Sequence, residues 1–429
     1  DDGDVVSAVE VRVGDDQFDL PAQGLKLSGR LEELDVTAWL DIVRSSKSNN
    51  KNSAIQLSEI DIKARSVSVT NLEMQDVDFQ LIKGSQYWLG EINSSIAKGK
   101  FNYPLHVTSE TIATGDFDYL RFNKPEKKTI STFDPRNLPA LEINTHQFSY
   151  DKYIFKDVSL ITETSATGML IKSLTGNGEA LNISANGAWE VGANDKQRTN
   201  IDVVLVSQNL HSTLTGLGFK AGVSKGQGSV AAKLNWPNAP YQFSADAFSG
   251  TANLRFKDGE MLSVEPGGAG RLVGLFNLGE ITRRLSLDFT DFFSKGYVFD
   301  KIRGDLVFEN ANLTTENLFI KGPSAHILIQ GRTGIVAKDY DQVVTVTPHV
   351  SGGLPWIGLA VGGPLGAVGV IVGEKVAKTI GIDVNKVTEI KYSMTGSWDD
   401  PKIERIAQKV VKTSTSAQGQ PSPQLSPSN

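Results

Sequence analysis

The sequence contains no cysteine, which removes disulfide scaffolds, thiolate metal sites and cysteine nucleophiles in one step. It leaves the compartment open, because a large cysteine-free chain suits an oxidising compartment as well as a reducing one. Histidine is scarce: His106, His146, His211, His326 and His349 are scattered, and none has a second ligand type at metal spacing. No metal or other cofactor is expected. Runs of basic residues are lacking too. With a formal net charge of -6 and no Lys/Arg cluster along the chain, there is no evident face to neutralise phosphates, which argues against a nucleic-acid partner.

Catalytic motifs are missing in the same way. There is no Gly-x-Ser-x-Gly elbow, no Walker lysine and no His-Glu-x-x-His. Gly176-Asn177-Gly178 and Gly226-Gln227-Gly228 resemble pieces of a phosphate loop, but strand patterns follow them where a helix would be needed, so both are expected to be hairpin turns. The acidic pairs Asp15-Asp16, Glu32-Glu33 and Asp399-Asp400 sit in turns or polar segments, where solvated charge is the default over glycosidase chemistry. The chain is therefore expected not to be an enzyme.

Long apolar runs are absent with one exception. Residues 354–373 carry no charge, in a chain of 429 residues that is otherwise polar and strand-patterned. The length reaches the threshold for crossing a bilayer, yet Pro355 and Pro364 would break a continuous helix. Two short apolar helical pieces are expected. Gly358, Gly362 and Gly366 recur every four residues and give them a small-residue stripe. A buried plug on a β-domain, an element that meets lipid or membrane, and a true span all fit this stretch taken alone.

Elsewhere the pattern is mainly β, with eight stretches. Residues 1–50 read as a partial β unit: alternation over 24–31, then helical spacing of Trp39, Leu40 and Val43 within 35–44. Residues 51–136 carry strands of about five to seven residues around Leu57, Ile60, Val67 and Val77, and the prolines at 125, 135 and 139 mark a loop between units. Residues 137–266 hold further alternating strands, the clearest with Phe248, Gly250, Ala252, Leu254 and Phe256 on one face. Residues 267–301 read as a helical, aromatic-rich insert, 302–350 as a β unit, 351–382 as the apolar Gly/Pro segment, 383–411 as a closing strand and short helix, and 412–429 as a tail too polar to fold. Trp189, Trp236 and Trp398 each close a strand pattern, suggesting a degenerate repeat of roughly 40 to 50 residues.

The ordered series Gly270 to Leu278, Arg283-Arg284-Leu285, Asp288-Phe289-Thr290-Asp291, Gly296 to Asp300 and Leu318 to Pro323 resembles the carboxy-terminal region of AsmA-like proteins, in particular the YhdP type. Ile329-Gln330-Gly331, Thr345 to Pro348, the apolar stretch and Gly396 to Pro401 continue it in the same order, and 24–39 also resembles that type. The resemblance covers about a third of the chain strongly.

It implies a Gram-negative periplasmic bridge, held in the inner membrane by an upstream anchor, whose β-groove carries phospholipid towards the outer membrane. The start at Asp1 without a targeting segment fits the expectation of a carboxy-terminal piece of such a protein. The expected fold is an elongated, twisted antiparallel sheet array curved into a groove, with short helices near its carboxy-terminal end. The expected lipid-groove residues are Val230, Leu234, Phe248, Ala252, Leu254, Phe256, Ile302, Leu306, Phe308, Tyr392 and Met394. The expected membrane contact or groove cap is made by Leu354, Trp356, Ile357, Leu359, Val361, Pro364, Leu365, Val368, Val370 and Ile371, without spanning. The partners implied are phospholipid and the inner leaflet of the outer membrane. An envelope assembly factor that binds an outer-membrane protein through the apolar segment is the alternative.

Overall fold

The computed structural model describes residues 8–14, 20–36, 56–69, 72–123, 133–150, 153–216, 222–262, 297–348 and 389–406. They form one open sheet of twenty strands: β1 (Ala8–Val13), β2 (Gly24–Asp35), β3 (Leu57–Val69), β4 (Leu72–Lys83), β5 (Tyr87–Asn93), β6 (Ala97–Pro104), β7 (Ile112–Phe122), β8 (Ala140–Tyr150), β9 (Tyr153–Ser165) and β10 (Gly168–Asn177). The second half is β11 (Leu181–Val191), β12 (Gln197–Ser207), β13 (Gln227–Pro237), β14 (Ser249–Met261), β15 (Tyr297–Glu309), β16 (Asn312–Lys321), β17 (Ala325–Gly334), β18 (Asp339–Pro348), β19 (Ile390–Ser397) and β20 (Pro401–Arg405). A short helix, α1 (Leu210–Gly216), lies between β12 and β13.

Each strand pairs with its sequence neighbour, so the sheet is a single progression from β1 to β20. At a strand spacing of about 4.8 Å, nineteen steps extend it over about 90 Å. Three pairings depart from the expected antiparallel array: β1 with β2, β2 with β3 and β7 with β8 are parallel. Parallel neighbours need a crossover, and these joins coincide with the long connections 14–23, 36–56 and 123–139.

The strands are longer than their patterns suggest. The pieces around Leu57, Ile60 and Val67 are one 13-residue strand, because the polar residues between them belong to the outward alternation and are not turns. β15 begins at Tyr297, inside the stretch assigned to the insert. Ile403 lies in strand β20 where a helix was expected, since only five residues pair with β19. Gly176-Asn177-Gly178 does close a hairpin, with the Gly178 amide donating to the Leu181 carbonyl at 2.7 Å. Gly226-Gln227-Gly228 instead leads into β13 after α1. Asp35, where the helix over 35–44 was expected to begin, closes strand β2; the rest of that helix beyond residue 36, the insert up to 296, the apolar segment with all ten cap residues, and the tail lie outside the described residues. No helix among the described residues is long and apolar enough to cross a membrane.

The core is distributed along one face. A small cluster of Ala64, Val67 and Val77 sits near the amino-terminal end, and a second joins Ala252, Leu306 and Leu313. The largest spans β14 to β19 and contains Met261, Tyr297, Phe299, Ile320, Ile327, Ile329, Val346 and Met394.

Candidate functional site

Register pairing turns the one-sided strands into continuous apolar rows across the sheet. One row starts at Val11 and passes through Leu27, Ile60, Leu81, Gly90, Phe101, Gly115 and Ile143. It continues through Leu160, Leu174, Ala185, Val203, Ala232, Ala252 and Leu306. Every strand from β1 to β15 contributes one residue, and none is polar. Fourteen steps of about 4.8 Å make the row about 67 Å long, more than twice the hydrocarbon thickness of a bilayer.

A second row lies two residues along each strand. It runs Val13, Gly29, Ile62, Phe79, Ile92, Gly99, Phe117, Thr145, Val158, and resumes as Gly176, Ile183, Leu205, Val230, Leu254, Gly304. Thr145 is its one polar member, and its hydroxyl is satisfied by donating to the Gln147 carbonyl at 3.0 Å. Both rows keep their side chains at the surface of the sheet, where they can meet an apolar ligand without presenting an unpaired donor or acceptor.

The opposite face is ionic. Register neighbours there carry opposite charge: Lys63 with Asp78 at 2.8 Å, Lys100 with Glu91 at 3.3 Å and Lys233 with Asp202 at 3.3 Å. Each such exposed pair contributes on the order of 0.2 to 1 kcal/mol. Their role is chiefly to fix which face meets water.

Exposure of the apolar face changes along the sheet. From Leu27 to Ala232 most row residues are half-buried. Over β15 to β19 the face is sealed: Leu313, Ile320, Ile329, Val346 and Met394 have no exposure at all. The sequence-predicted groove residues fall on both sides of this transition. Val230, Leu234, Phe248, Leu254, Phe256 and Phe308 are half-buried, and Ala252, Ile302 and Leu306 retain 5%, 8% and 4% exposure. Tyr392 and Met394 share the face but belong to the sealed cluster. A depression of about 1050 Å³ follows β10 to β15 and is bordered by both alternations, the first-row Ala185, Val203, Ala232, Ala252 and Leu306 and the ionic-face Lys172, Asp202, Lys233 and Asp305.

Residues that sequence reading missed build one margin of the face. Thr199 is the register partner of both Trp189 and Trp236, so the two indoles flank it on neighbouring strands. Trp189 Nε1 donates to Gln197 at 3.0 Å and Trp236 Nε1 to the Ala239 carbonyl at 3.1 Å. Tyr241 packs edge-on to Trp189, and Phe243 edge-on to Trp236 with ring centres 5.3 Å apart. Phe243, Phe248 and Phe308 then follow at 5.1 Å steps. The strand-end tryptophans were visible in the sequence, but the turn that brings Tyr241 and Phe243 back over them was not.

The family model described as YhdP protein matches residues 1–403. Among curated proteins, the chain is similar to the intermembrane phospholipid transporter YhdP of Escherichia coli strain K12, 27% identical over 233 residues. That match covers 54% of the present chain and 18% of the relative, so the chain spans less than a fifth of that protein's length. No solved structure matches the chain significantly.

Proposed function

The chain belongs to the YhdP family, and we propose that it forms a segment of a periplasmic conduit that carries phospholipid between two membranes. The observation that carries this reading is the uninterrupted apolar row from Val11 to Leu306. Exposing roughly 30 methylenes of a diacyl lipid to water costs on the order of 24 kcal/mol at about 0.8 each. A carrier must therefore offer apolar surface at every step. The row does so at intervals of about 4.8 Å, and because contacts between hydrocarbon surfaces are non-directional, one position along it is nearly equivalent to the next. Lipid tails slide along such a wall with their head groups left in water.

The half-open face from β2 to the Phe308 end of β15 is the path, and Val230, Leu234, Phe248, Leu254, Phe256 and Phe308 are its carboxy-terminal stretch. The sealed cluster over β15 to β19, with Ile302, Tyr392 and Met394, is the point at which tails leave the face. Contact with the outer membrane's inner leaflet, or capping of the path, is assigned to Leu354, Trp356, Ile357, Leu359, Val361, Pro364, Leu365, Val368, Val370 and Ile371, in the reading that the resemblance implies. The relative's printed name supports phospholipid as the cargo.

The test is photocrosslinking in cells, with the reactive residue placed in turn at Phe101, at Leu205, and at Lys100 on the ionic face. Mass spectrometry of protein purified without added lipid should find phospholipid adducts at Phe101 and Leu205 and none at Lys100. Absence of acyl adducts from both row positions, or equal labelling at Lys100, overturns the reading. Protein adducts in their place favour an assembly factor.

A further inference from the structure

We propose that the ionic face of β14 to β16 carries a second, separate site, which binds the phosphate group of an anionic ligand such as a phospholipid headgroup. Several cations elsewhere on this face have an acidic neighbour across the strands, as in Lys63 with Asp78, Lys98 with Asp118, Lys172 with Glu163 and Lys233 with Asp202. Arg30 faces Lys63 as a single like-charge pair that Asp78 answers, whereas on β14 to β16 three such pairs adjoin. Arg255 is the register partner of Arg303, Lys257 of Lys301, and Lys301 of Lys321. Like charges directly opposite one another destabilise a sheet, so the arrangement calls for an anion to offset it.

The described residues supply that anion only in part. Lys257 reaches its own neighbour Asp258 only at 4.0 Å, and among the described residues Arg255, Lys301, Arg303 and Lys321 make no ion pair. Arg255 Nε donates to the side-chain Oδ1 of Asn253 at 2.9 Å, and the Arg303 guanidinium stands 5.5 Å from the centre of the Phe319 ring. The nearby carboxylate, Asp305, is held ionised by the side-chain amides of Asn253 and Asn317, each at 2.7 Å, and offsets part of the charge of Arg255, leaving four cations without an acid across the strands among the described residues. Asp300 lies within β15, beside Lys301 in the sequence.

A depression of about 780 Å³ lies over four of these cations, lined by Arg255, Lys257, Lys301, Arg303, Asp305 and Phe319 among others. Two neighbouring guanidinium groups offer the forked donors that phosphate oxygens accept, two lysines add point charge, and Phe319 gives an apolar floor beside them. The compact shape fits a headgroup; a nucleic-acid track would need basic residues extended well beyond two rows. The five cations are spread from 255 to 321 in the sequence, so only the strand register assembles them. This site is on the face opposite the apolar rows, and its existence does not depend on the conduit.

The experiment uses the full chain with vesicles of phosphatidylglycerol or of phosphatidylcholine, and separately with inorganic phosphate. Sedimentation should show binding to the phosphatidylglycerol vesicles that weakens with salt and falls roughly tenfold or more in Arg255→Gln/Arg303→Gln, while Lys63→Gln/Lys98→Gln on the same face leaves it unchanged. Because the first variant removes a like-charge contact, its thermal midpoint without ligand should equal or exceed that of the parent, which excludes misfolding as the cause. Protection of Lys301 and Lys321 from acylation by inorganic phosphate, with no vesicle binding, would assign the same site to a free phosphate compound. Equal binding to both vesicle types, or unchanged binding in the arginine variant with no phosphate protection, overturns the proposal. A failure here leaves the crosslinking result at Phe101 and Leu205 untouched.

Discussion

The ring of Phe101 lies over Gly90, its register partner on β5, in the space a β-carbon would occupy. Glycine at this position lets the aromatic ring lie down on the sheet and keeps the first apolar row level between Leu81 and Gly115. Gly90→Val should push the ring outward and cost about 1 to 3 kcal/mol through overpacking. Chemical denaturation checks the loss, and Gly90→Val/Phe101→Ala should recover part of it because the clash is then gone. If the single variant is as stable as the parent, the close fit is not a constraint.

The two sides of β12 allow a paired test of the path. Val203 belongs to the first row, and the next residue, Val204, is 40% exposed on the ionic face. On the proposed path a carboxylate at 203 would have to be desolvated against acyl chains, a cost of several kcal/mol. Val203→Asp should lower co-purified phospholipid at least tenfold by that margin, with Val204→Asp indistinguishable from the parent. Both are at the sheet surface, so circular dichroism should show both folded.

Two tyrosines in the sealed cluster set an alkaline limit. Burial pushes the Tyr297 phenol well above its ordinary value, with Asp300 adding to the effect, and burial does the same for Tyr340, with Asp399 adding. A raised folded value means that their contribution is complete below the unfolded value near 10 and is lost as pH rises through the folded one. Unfolding free energy should therefore begin to fall above about pH 10, by up to about 1.4 kcal/mol per pH unit for each phenol. Tyr297→Phe should flatten that slope. It should also cost about 1 kcal/mol at neutral pH, since Tyr297 Oη donates to the Ala325 carbonyl at 2.7 Å.

Period-two patterning made the β class and the one-sided strands legible, and the alternation of Phe248, Ala252, Leu254 and Phe256 places those residues on the apolar face as expected. It failed where the alternation slips. Asp76, Asp157 and Asp258 have left-handed backbones with φ of 52, 48 and 56°, and the facing set shifts by one at each. Met74 gives way to Val77, Phe155 to Val158, and Phe256 to Gly259 and Met261. Aspartate tolerates this conformation better than most residues, so the signal was an isolated Asp between apolar residues of opposite parity. The joining of rows was not legible at all. It depends on register across fifteen strands, and the basic site on β14 to β16 is hidden for the same reason, being assembled from residues 255 to 321 that share no sequence neighbourhood.

One ion pair locks the hairpin of β17 and β18 and should mark its acid limit. Arg332 on β17 meets Asp339 on β18 fork to fork, Nη1 to Oδ1 and Nη2 to Oδ2 both at 2.9 Å, and Nη1 also donates to Asn312 Oδ1 on β16 at 3.0 Å. The hydrogen bonds from Arg332 hold the Asp339 carboxyl below the usual carboxylate range. A depressed folded value gives stability that is present above the unfolded value near 3.9 and disappears as pH falls through the folded one. With both side chains about a third exposed, solvent screening limits the pair to about 0.5 to 1 kcal/mol. Asp339→Asn should therefore speed amide exchange in β17 and β18 at pH 6 by a few-fold. Arg332→Lys, which keeps the charge but loses the fork, should fall between the two. The difference between parent and Asp339→Asn should shrink below pH 4, and an unchanged difference there would mean that the carboxylate's charge is not what holds the turn.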